Sequence, residues 1–328
     1  MMKVLFIGGT GNISTACTQI ATSKGMEVYH FNRQKSTSKT SPESVKTITG
    51  DIHSAADRKK INKFAPFDVV ANFIAFIPDQ VKADIAQFTT ITKQYIFISS
   101  ATVYKKPPDH YIITEECPLE NPFWEYARNK IACEQLLRSQ HKMDYTIVRP
   151  SYTYSESWIP VALTARSYSP VFRIKNGLPI ISHGDGESLW VNTHAHDFAR
   201  AFVGLFGNSS ALNNHFHITS DEVLTWDQIY HIIGKVIGKV PYLIHIPSDF
   251  INRYDPDWGA GLLGDKARSV VFDNSKIKSA IPGWKAEILF AEGIRQSIAW
   301  FEAKPARMKL NREIELKMDS IIKQISKL

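Results

Sequence analysis

Three side chains that could together move a proton lie in two short stretches of the chain. Tyr126 and Lys130 are four residues apart, and on a helix side chains at that spacing share one face. A tyrosine has an ordinary pKa of about 10, so it is a poor base at neutral pH unless a nearby cation stabilises the phenolate. Ser100 follows the apolar run at 95–99, where a hydroxyl could hold a substrate hydroxyl in line with the phenol. The three residues predict acid–base chemistry on a hydroxyl-bearing carbon.

Residues 8–14, GGTGNIS, form a glycine-rich stretch directly after an apolar run and before a helical pattern. Gly8 permits the tight turn, and Gly11 lets the backbone approach a pyrophosphate. The start of the helix then offers free N–H groups and the positive end of a dipole. Ser14 occupies the third small position, where glycine is usual, so we expect the helix to lie slightly further from the sheet. The stretch predicts a site for a dinucleotide cofactor.

The end of the second apolar run indicates which dinucleotide would bind. No acidic residue stands there to hold both ribose hydroxyls; the residues are Asn32 and Arg33. Arg33 could grip a 2′-phosphate, which favours NADP over NAD, but Asn32 could equally bond a ribose hydroxyl and Arg33 could be a plain surface charge. Asp51, after the third run, is placed to meet an adenine amino group. Both cofactors therefore stay open.

Apolar runs alternate with helical patterns over the first half of the chain, which predicts a parallel sheet with right-handed crossovers. The fold class is α/β: a Rossmann-type doubly wound parallel sheet with a smaller α+β substrate domain. We expect the cofactor-binding domain at 1–155, joined by 190–210, the substrate-binding domain at 156–303 and a basic amphipathic helix at 304–328. The predicted strands are 3–7, 27–31, 45–48, 68–75, 95–99 and 145–148, and the helices between them are 13–24, 55–62, 80–93 and 124–140.

Composition excludes several protein classes. Of 328 residues, 44% are hydrophobic and 22% are charged, so the chain can bury a full core. No apolar run approaches the roughly 18 residues of a membrane-spanning helix. The three cysteines are widely spaced, which disfavours a disulfide framework and fits the cytoplasm. Membrane, secreted-miniprotein and fibrous classes are therefore not expected.

The net charge of +7 is concentrated at the C-terminus. Residues 304–328 hold seven Lys and Arg against three acidic residues. Apolar residues recur there at helical spacing from Leu310 to Leu328, which predicts one amphipathic helix. We expect it to dock on its own fold or on a second subunit of a homodimer. A helix that binds nucleic acid or a membrane surface is the alternative.

In combination these motifs resemble the extended short-chain dehydrogenase/reductases, and within them the NAD-dependent epimerase/dehydratase group that acts on sugar nucleotides. The resemblance rests on GGTGNIS, on SSATVY at 99–104, on YARNK at 126–130, on IVRPSYTY at 147–154 and on HAHD at 194–197. It implies that Ser100 orients the substrate hydroxyl, that Tyr126 is the acid/base and that Lys130 also binds the nicotinamide ribose. It further implies cofactor contacts from Asn12, Ile13, Asp51, Ile52, Phe73, Ala75 and Tyr152.

Departures from the family pattern narrow this expectation. Ala101 and Thr102 stand where the 4,6-dehydratases carry an Asp-Glu pair, so that chemistry is not expected, and SSATVY is instead close to the UDP-glucose 4-epimerase pattern. No arginine lies between Arg173 and Arg200 to clamp a diphosphate, although Lys175 could substitute. These departures put a UDP-sugar substrate in doubt.

We therefore expect an NAD(P)-dependent epimerase or oxidoreductase acting on a sugar-like small molecule. Two alternatives remain: an RNA-binding member of the superfamily, as the chloroplast stem-loop-binding proteins are, and a regulator that senses NADP without turnover. No metal is expected, because His194 and His196 lack a cluster of further ligands. Asp197 is expected to cap the helix that follows it.

Overall fold

The computed structural model describes residues 1–33, 41–163 and 166–327. Its first half alternates strands and helices as the apolar runs predict. β4 ends earlier than predicted, so residues 73–75 form the loop that follows the strand. The strands are β1 Lys3–Ile7, β2 Glu27–Asn32, β3 Lys46–Thr49, β4 Phe67–Asn72, β5 Thr92–Ile98, β6 Ile112–Ile113, β7 Tyr145–Pro150, β8 Tyr152–Tyr154, β9 Pro179–His183, β10 Leu189–Trp190, β11 Asn192–His194, β12 Asn214–Ile218, β13 Leu224–Thr225, β14 Tyr242–Ile246 and β15 Val271–Phe272.

Helices lie on both faces of the main sheet and dominate the second half of the chain. A short π-helical turn, Leu262–Lys266, follows α9. The α-helices are α1 Asn12–Ser23, α2 Ala55–Arg58, α3 Pro78–Phe88, α4 Glu125–Ser139, α5 Ser169–Lys175, α6 Ala195–Gly204, α7 Trp226–Ile237, α8 Ser248–Tyr254, α9 Pro256–Gly261, α10 Ser275–Ala280, α11 Phe290–Glu302 and α12 Arg312–Ile325.

The main sheet has seven parallel strands in the order β12-β7-β5-β4-β1-β2-β3. The chain starts at β1 in the interior of the sheet and winds outward in both directions, so all carboxyl strand ends meet at one edge. The interior strands β1 and β4 are almost entirely buried because α1 and α6 cover one face and α3 and α4 the other. The predicted Rossmann-type sheet is confirmed.

β12 belongs to this sheet and not to the smaller domain. The stretch HFHI, at 215–218, falls inside the predicted substrate domain, yet it pairs in parallel with β7 as an edge strand. Nothing in this short, polar-flanked stretch indicates the pairing, which depends on α6 first crossing the sheet and packing on α1. The cofactor-binding half therefore takes more of the late chain than 190–210.

The second half of the chain packs around its own core, which includes Trp190 and Trp226 from β10 and α7. Four two-stranded pairs surround it: β8 with β11, β9 with β14, β6 with β15 and β10 with β13. β8 directly continues β7, so this core is joined to the carboxyl edge of the main sheet. That connection leaves a groove between the two halves.

The C-terminal helix α12 packs against the same core through Met318 and Ile321, and its Ile314 is buried as well. Arg173 of α5, itself buried, bonds two acidic residues of α12, with Nη1 2.8 Å from Glu315 and Nη2 2.5 Å from Asp319. Glu315 and Asp319 thus join α12 to α5, and Lys317 pairs with Asp255, whereas Arg312 and Lys323 are exposed. Leu328, the last residue of the predicted stripe, lies outside the described residues.

Asp197 does not cap α6. The cap is His194, whose Nδ1 accepts from the amide of His196, whereas Asp197 accepts from the amides of Glu287 and Ile288 at 3.0 and 2.8 Å.

In the described part of the chain, no group of three or more His, Cys, Asp or Glu could hold a metal ion. Among the same residues no helix is long and apolar enough to cross a bilayer.

Candidate active site

The glycine stretch forms the turn between β1 and α1. Gly8 has a φ of +80°, a left-handed backbone that side chains disfavour, and its amide donates to Phe31 O at 3.2 Å. Ser14 joins both ends of the turn, because its hydroxyl donates to Gly8 O and accepts from the amide of Gly11, both at 2.7 Å. The serine at the third small position therefore braces the turn.

Asn12 and Ile13 begin α1, where backbone amides have no intrahelical partner. Such amides and the helix dipole suit a phosphate. The side chain of Asn12 is buried and used elsewhere: it donates to Thr153 O at 2.9 Å and accepts from the hydroxyl of Ser155 at 2.6 Å. The side chain of Asn12 therefore ties the turn to the segment at β8, so only the backbone amide of Asn12 is left for a dinucleotide.

Asn32, Arg33 and Asp51 lie at the carboxyl ends of β2 and β3. The Oδ1 atom of Asn32 accepts from the amide of Gly9 at 3.1 Å, so this side chain also braces the glycine turn. Arg33 Nη1 lies 3.9 Å from Asp51 Oδ2, and both side chains are exposed. The carboxylate would compete with a 2′-phosphate for the guanidinium. Ile52, the next residue, is buried.

The loop after β4 lies beside the glycine turn. One further hydrogen bond to β1 follows the end of β4: the amide of Phe73 donates to Ile7 O at 3.0 Å. Ala75 is buried, and its carbonyl accepts from Lys130 Nζ at 2.7 Å. Phe73 and Ala75, for which the resemblance predicts cofactor contacts, therefore lie close to the glycine turn, and Ala75 is joined to the predicted catalytic lysine.

Lys130 connects the ends of two central strands. Its Nζ donates to Ala75 O and to Ile98 O, each at 2.7 Å, and lies 4.7 Å from the ring centre of Phe97 and 5.8 Å from that of Tyr126. Burial lowers the pKa of Lys130 to about 7. An ammonium has three N–H donors, so one is left for a ligand beside the tyrosine.

Tyr126 lies in the first turn of α4, with its ring 5.1 Å from that of Trp124. Burial raises the pKa of Tyr126 to about 12, and Ser100, a hydrogen-bonding neighbour, opposes only part of that rise. This is opposite to the lowering expected from Lys130. The reason is that burial dominates the pKa of Tyr126, and the negative charge of Asp265 raises it further.

A cavity of about 250 Å³ opens where the two halves meet. Tyr152 lines it, with its hydroxyl donating to Val161 O at 2.6 Å and its ring 5.0 Å from that of Trp158. The buried indole N–H of Trp158 has no partner among the described residues. Ser100 and Tyr126 share this cavity, with Lys130 behind them. The lining residues are Ser100, Ala101, Thr102, Trp124, Tyr126, Ser151, Tyr152, Trp158, Asp265 and Lys266.

Of these lining residues, Ser100, Tyr126 and Tyr152 were predicted as site residues from the sequence, whereas Trp124, Trp158, Asp265 and Lys266 lie outside the motifs. Trp124 stands two residues before Tyr126, so its position near the motif was a usable signal. Asp265 and Lys266 lie in the π-helical turn, far from any motif, and nothing in the sequence marks them. Lys175, the predicted substitute for the missing arginine, is ion-paired with Glu302 and does not line the cavity.

Comparison with known proteins agrees with this geometry. Residues 4–218 match the model of the NAD dependent epimerase/dehydratase family. The chain belongs to this family. The match spans the whole main sheet, including β12, and it confirms the resemblance drawn from the motifs.

Two similar proteins have names that give different functions. This chain is 27% identical to the chloroplast stem-loop binding protein of 41 kDa b of Arabidopsis thaliana, over 90% of this chain and 78% of that protein. It is 24% identical to the UDP-glucose 4-epimerase of Mycolicibacterium smegmatis, over 73% of this chain and 71% of that protein.

Solved structures establish the fold. An epimerase from Methanothermobacter thermautotrophicus superposes with a TM-score of 0.77 at 16% identity, over 94% of each chain. A UDP-glucose 4-epimerase from Thermotoga maritima, solved with UDP-glucose, gives a TM-score of 0.74 at 17% identity, over 92% of this chain and 99% of that one.

The residues of this family member fit a nicotinamide dinucleotide. A Cβ at Gly8 would lie 2.7 Å from Ile74 Cγ2, so the turn leaves room for no side chain and exposes its backbone. The amides of Asn12 and Ile13 would hold the pyrophosphate. The third N–H of Lys130 would hold a ribose hydroxyl.

Proposed function

We propose that this chain is an NAD(P)-dependent enzyme that oxidises a hydroxyl-bearing carbon of a sugar-like substrate, as an epimerase or as an oxidoreductase. One observation carries the proposal: Ser100 and Tyr126 line a single cavity, and Lys130 lies directly behind the tyrosine at the carboxyl edge of the sheet. Family membership supports the nicotinamide cofactor.

A nicotinamide bound at this edge supplies the hydride acceptor and donor. The Ser100 hydroxyl orients the substrate hydroxyl, and the phenol oxygen of Tyr126 takes its proton. Because burial raises the pKa of Tyr126 to about 12, the tyrosine is protonated at neutral pH before the charges of the complete site are assembled. The positive charge of Lys130, whose Nζ lies 5.8 Å from the ring centre of Tyr126, then stabilises the phenolate.

The two reaction types diverge once the hydroxyl has lost its proton and the carbon its hydride, which leaves a ketone. An epimerase keeps the ketone and lets it be reduced on the opposite face, after which Tyr126 returns the proton. A dehydrogenase releases the ketone. A 4,6-dehydratase is disfavoured, because Ala101 and Thr102 offer no carboxylate pair to remove water.

The cavity walls support a sugar-like substrate. Flat rings of Trp124, Tyr152 and Trp158 can pack on the apolar face of a sugar. The hydroxyls of Ser100, Thr102 and Ser151 line the same space, and the Trp158 N–H lacks a partner among the described residues. Hydroxyl groups of a polyol would satisfy these donors and acceptors.

The first experiment identifies any nucleotide released from purified, denatured protein. Stoichiometric NAD would indicate a retained cofactor and a redox-neutral epimerase. An empty protein that binds NADP reversibly would indicate a dehydrogenase. Binding of neither cofactor would contradict the enzyme proposal.

The second experiment compares Tyr126→Phe with Tyr111→Phe, a change at an exposed tyrosine outside the cavity. We expect Tyr126→Phe to lower kcat about 10²- to 10⁴-fold with the Kd for the cofactor unchanged, and Tyr111→Phe to change neither. Full turnover in Tyr126→Phe would refute the acid/base assignment. A wild-type protein that binds NADP and turns over no sugar would favour a sensing regulator.

RNA binding is the second candidate, and the chloroplast stem-loop binding relative favours it. The exposed lysines and arginine of the C-terminal segment, among them Lys309, Arg312 and Lys323, offer phosphate contacts. The test is fluorescence anisotropy with a stem-loop RNA at 50 and 200 mM salt. A steep loss of affinity with salt, which Arg312→Gln and Lys323→Gln lessen, would support RNA binding; no binding at 50 mM salt would exclude it.

A further inference from the structure

Lys266 places a buried ammonium in the wall of the cavity. Its side chain is among the cavity-lining groups and the residue is only 8% exposed. The Nζ atom donates to Gly261 O at 3.3 Å and lies 5.4 Å from the ring centre of Tyr152 and 5.7 Å from that of Trp124. These partners are neutral, so the charge of Lys266 has no carboxylate in contact with it among the described residues.

The carboxylate of the neighbouring Asp265 pairs with a different lysine, Lys106. Asp265 Oδ1 lies 3.8 Å from the Nζ of Lys106, and the two side chains are 14% and 2% exposed. In the described part of the chain, no other carboxylate lies within ion-pair distance of Lys106 or Lys266. Two buried ammonium groups therefore share one carboxylate, which leaves an excess positive charge beside the cavity.

A buried excess charge is unfavourable unless a counter-ion or several hydrogen bonds compensate it. The aromatic rings compensate it only in part, since a cation–π contact is a weak substitute for an ion pair. Burial accordingly lowers the pKa of Lys266. An anion in the cavity would supply the missing partner, because Lys266 lines the same space as Ser100 and Tyr126.

We propose that Lys266 binds an oxyanion carried by the substrate, so that the substrate is an acidic sugar with a carboxylate or a phosphate. This inference rests on the proposed function and gives its substrate class. The cavity, at about 250 Å³, lies below the range of roughly 300–1,000 Å³ that is usual for ligand pockets. The acidic group therefore belongs to the reacting sugar itself, within reach of both Lys266 and Tyr126.

Isothermal titration calorimetry on the NAD-loaded protein tests the proposal with four probes: D-glucose, D-glucuronate, D-glucose 6-phosphate and UDP-glucose. We expect D-glucuronate or D-glucose 6-phosphate to bind at least tenfold more tightly than D-glucose, and the better of the two identifies the oxyanion. Lys266→Met should remove this preference, whereas Lys142→Met, which removes an exposed lysine, should preserve it.

Asp265→Asn should change the affinity for acidic sugars in the direction opposite to Lys266→Met. Removing the carboxylate leaves both lysines without a counter-ion, so the acidic sugars should bind several-fold more tightly than in the wild type. A merely structural role of this turn would weaken binding in both variants. Without any sugar, Lys266→Met should raise the Tm, because it removes the buried excess charge.

Three results would overturn the proposal: equal Kd values for D-glucose and the acidic sugars, no binding of any acidic probe, or a preference that survives in Lys266→Met. Tighter binding of UDP-glucose than of both acidic monosaccharides would also overturn it. NAD stoichiometry is measured in the same samples. A protein that binds neither NAD nor NADP would count against the proposed function, and the sugar affinities would still test Lys266.

Discussion

The glycine turn and the substrate cavity differ in how their buried polar groups are paired. In the turn, the hydroxyl of Ser14, the amide group of Asn12 and the Oδ1 atom of Asn32 all have hydrogen-bond partners within the protein. In and beside the cavity, the Trp158 N–H and both amide atoms of Asn192 have no partner among the described residues. Asn192 of β11 lies in register beside Tyr152 of β8, which lines the cavity.

This difference separates two kinds of site. The turn is shaped by the protein alone and presents backbone amides that any dinucleotide can use. The cavity keeps unpaired polar side chains whose desolvation is unfavourable until a ligand bonds them. Specificity is therefore expected to depend on the cavity, and general cofactor binding on the turn.

Gly9→Ala should have the largest effect on stability and would test the rigidity of the turn. A Cβ at Gly9 would overlap the imidazole of His30, whose Nε2 is 2.8 Å from Thr18 Oγ1. Overpacking and the lost hydrogen bond should together lower the free energy of unfolding by about 3 kcal/mol and weaken NAD binding. Urea unfolding measures it. Gly261→Ala adds the same methyl in ordinary contact, 3.7 Å from Lys266 Nζ, and should cost no stability.

Lys130→Met should change how stability depends on pH. The pKa of Lys130 in the folded protein is about 7, below the ordinary 10.5, so between these values the unfolded chain binds a proton that the folded protein lacks. Stability of the wild type should therefore rise with pH, by about 2 kcal/mol more than that of the variant between pH 7 and pH 9. Urea unfolding at both pH values measures it. Parallel pH profiles for wild type and variant would contradict the lowered pKa.

Two buried asparagines test whether the turn and the cavity differ in how their polar groups are paired. Asn12 and Asn192 are both buried, at 5% and 4% exposure, but within the described residues only the first has hydrogen-bond partners. Asn12→Ala should lower the free energy of unfolding by about 1–3 kcal/mol, since it leaves Thr153 O unpaired. Asn192→Ala should cost less than that, because no hydrogen bond is lost. Equal losses in thermal or urea unfolding would mean that the cavity is paired as fully as the turn.

The smallest effect is expected at Arg33. An exposed ion pair is worth about 0–1 kcal/mol, and we expect the same of a contact between the exposed Arg33 and a 2′-phosphate, so Arg33→Gln should lower the NADP affinity relative to the NAD affinity by at most roughly fivefold. Asp51→Asn should shift the preference the other way by a similar factor, as the competing carboxylate is removed. Kd values for both cofactors measure this. No change in either variant would indicate that the 2′-phosphate does not approach Arg33.

Local patterns predicted much of the cofactor-binding half. β1 has the bounds that its apolar run suggests, and α1 and α4 differ from prediction only at their ends. β12 was assigned to the smaller domain, because its place beside β7 depends on a crossover through α6 that no local pattern encodes.

The candidate site likewise has one part that local sequence patterns predicted and one part that they did not. Ser100, Tyr126 and Lys130 follow a buried strand or share one helix, so their spacing in sequence translates directly into spacing in the structure. The raised pKa of Tyr126 did not follow from spacing, because it depends on the rings that bury the phenol. Lys266 and Asp265 reach the cavity only through the packing of the second half of the chain.

The amino-acid sequence by itself determined the parallel sheet, the glycine turn and the proximity of Tyr126 and Lys130 on one helix, because hydrophobic periodicity and strand–turn–helix order are local properties. The tertiary structure alone decided which charges lie at the cavity. Lys106 is far along the chain from the adjacent Asp265 and Lys266, and the charge balance of the three exists only once burial removes water from around them. Desolvation is a property of the folded molecule, and it turns an ordinary lysine into a candidate determinant of substrate choice.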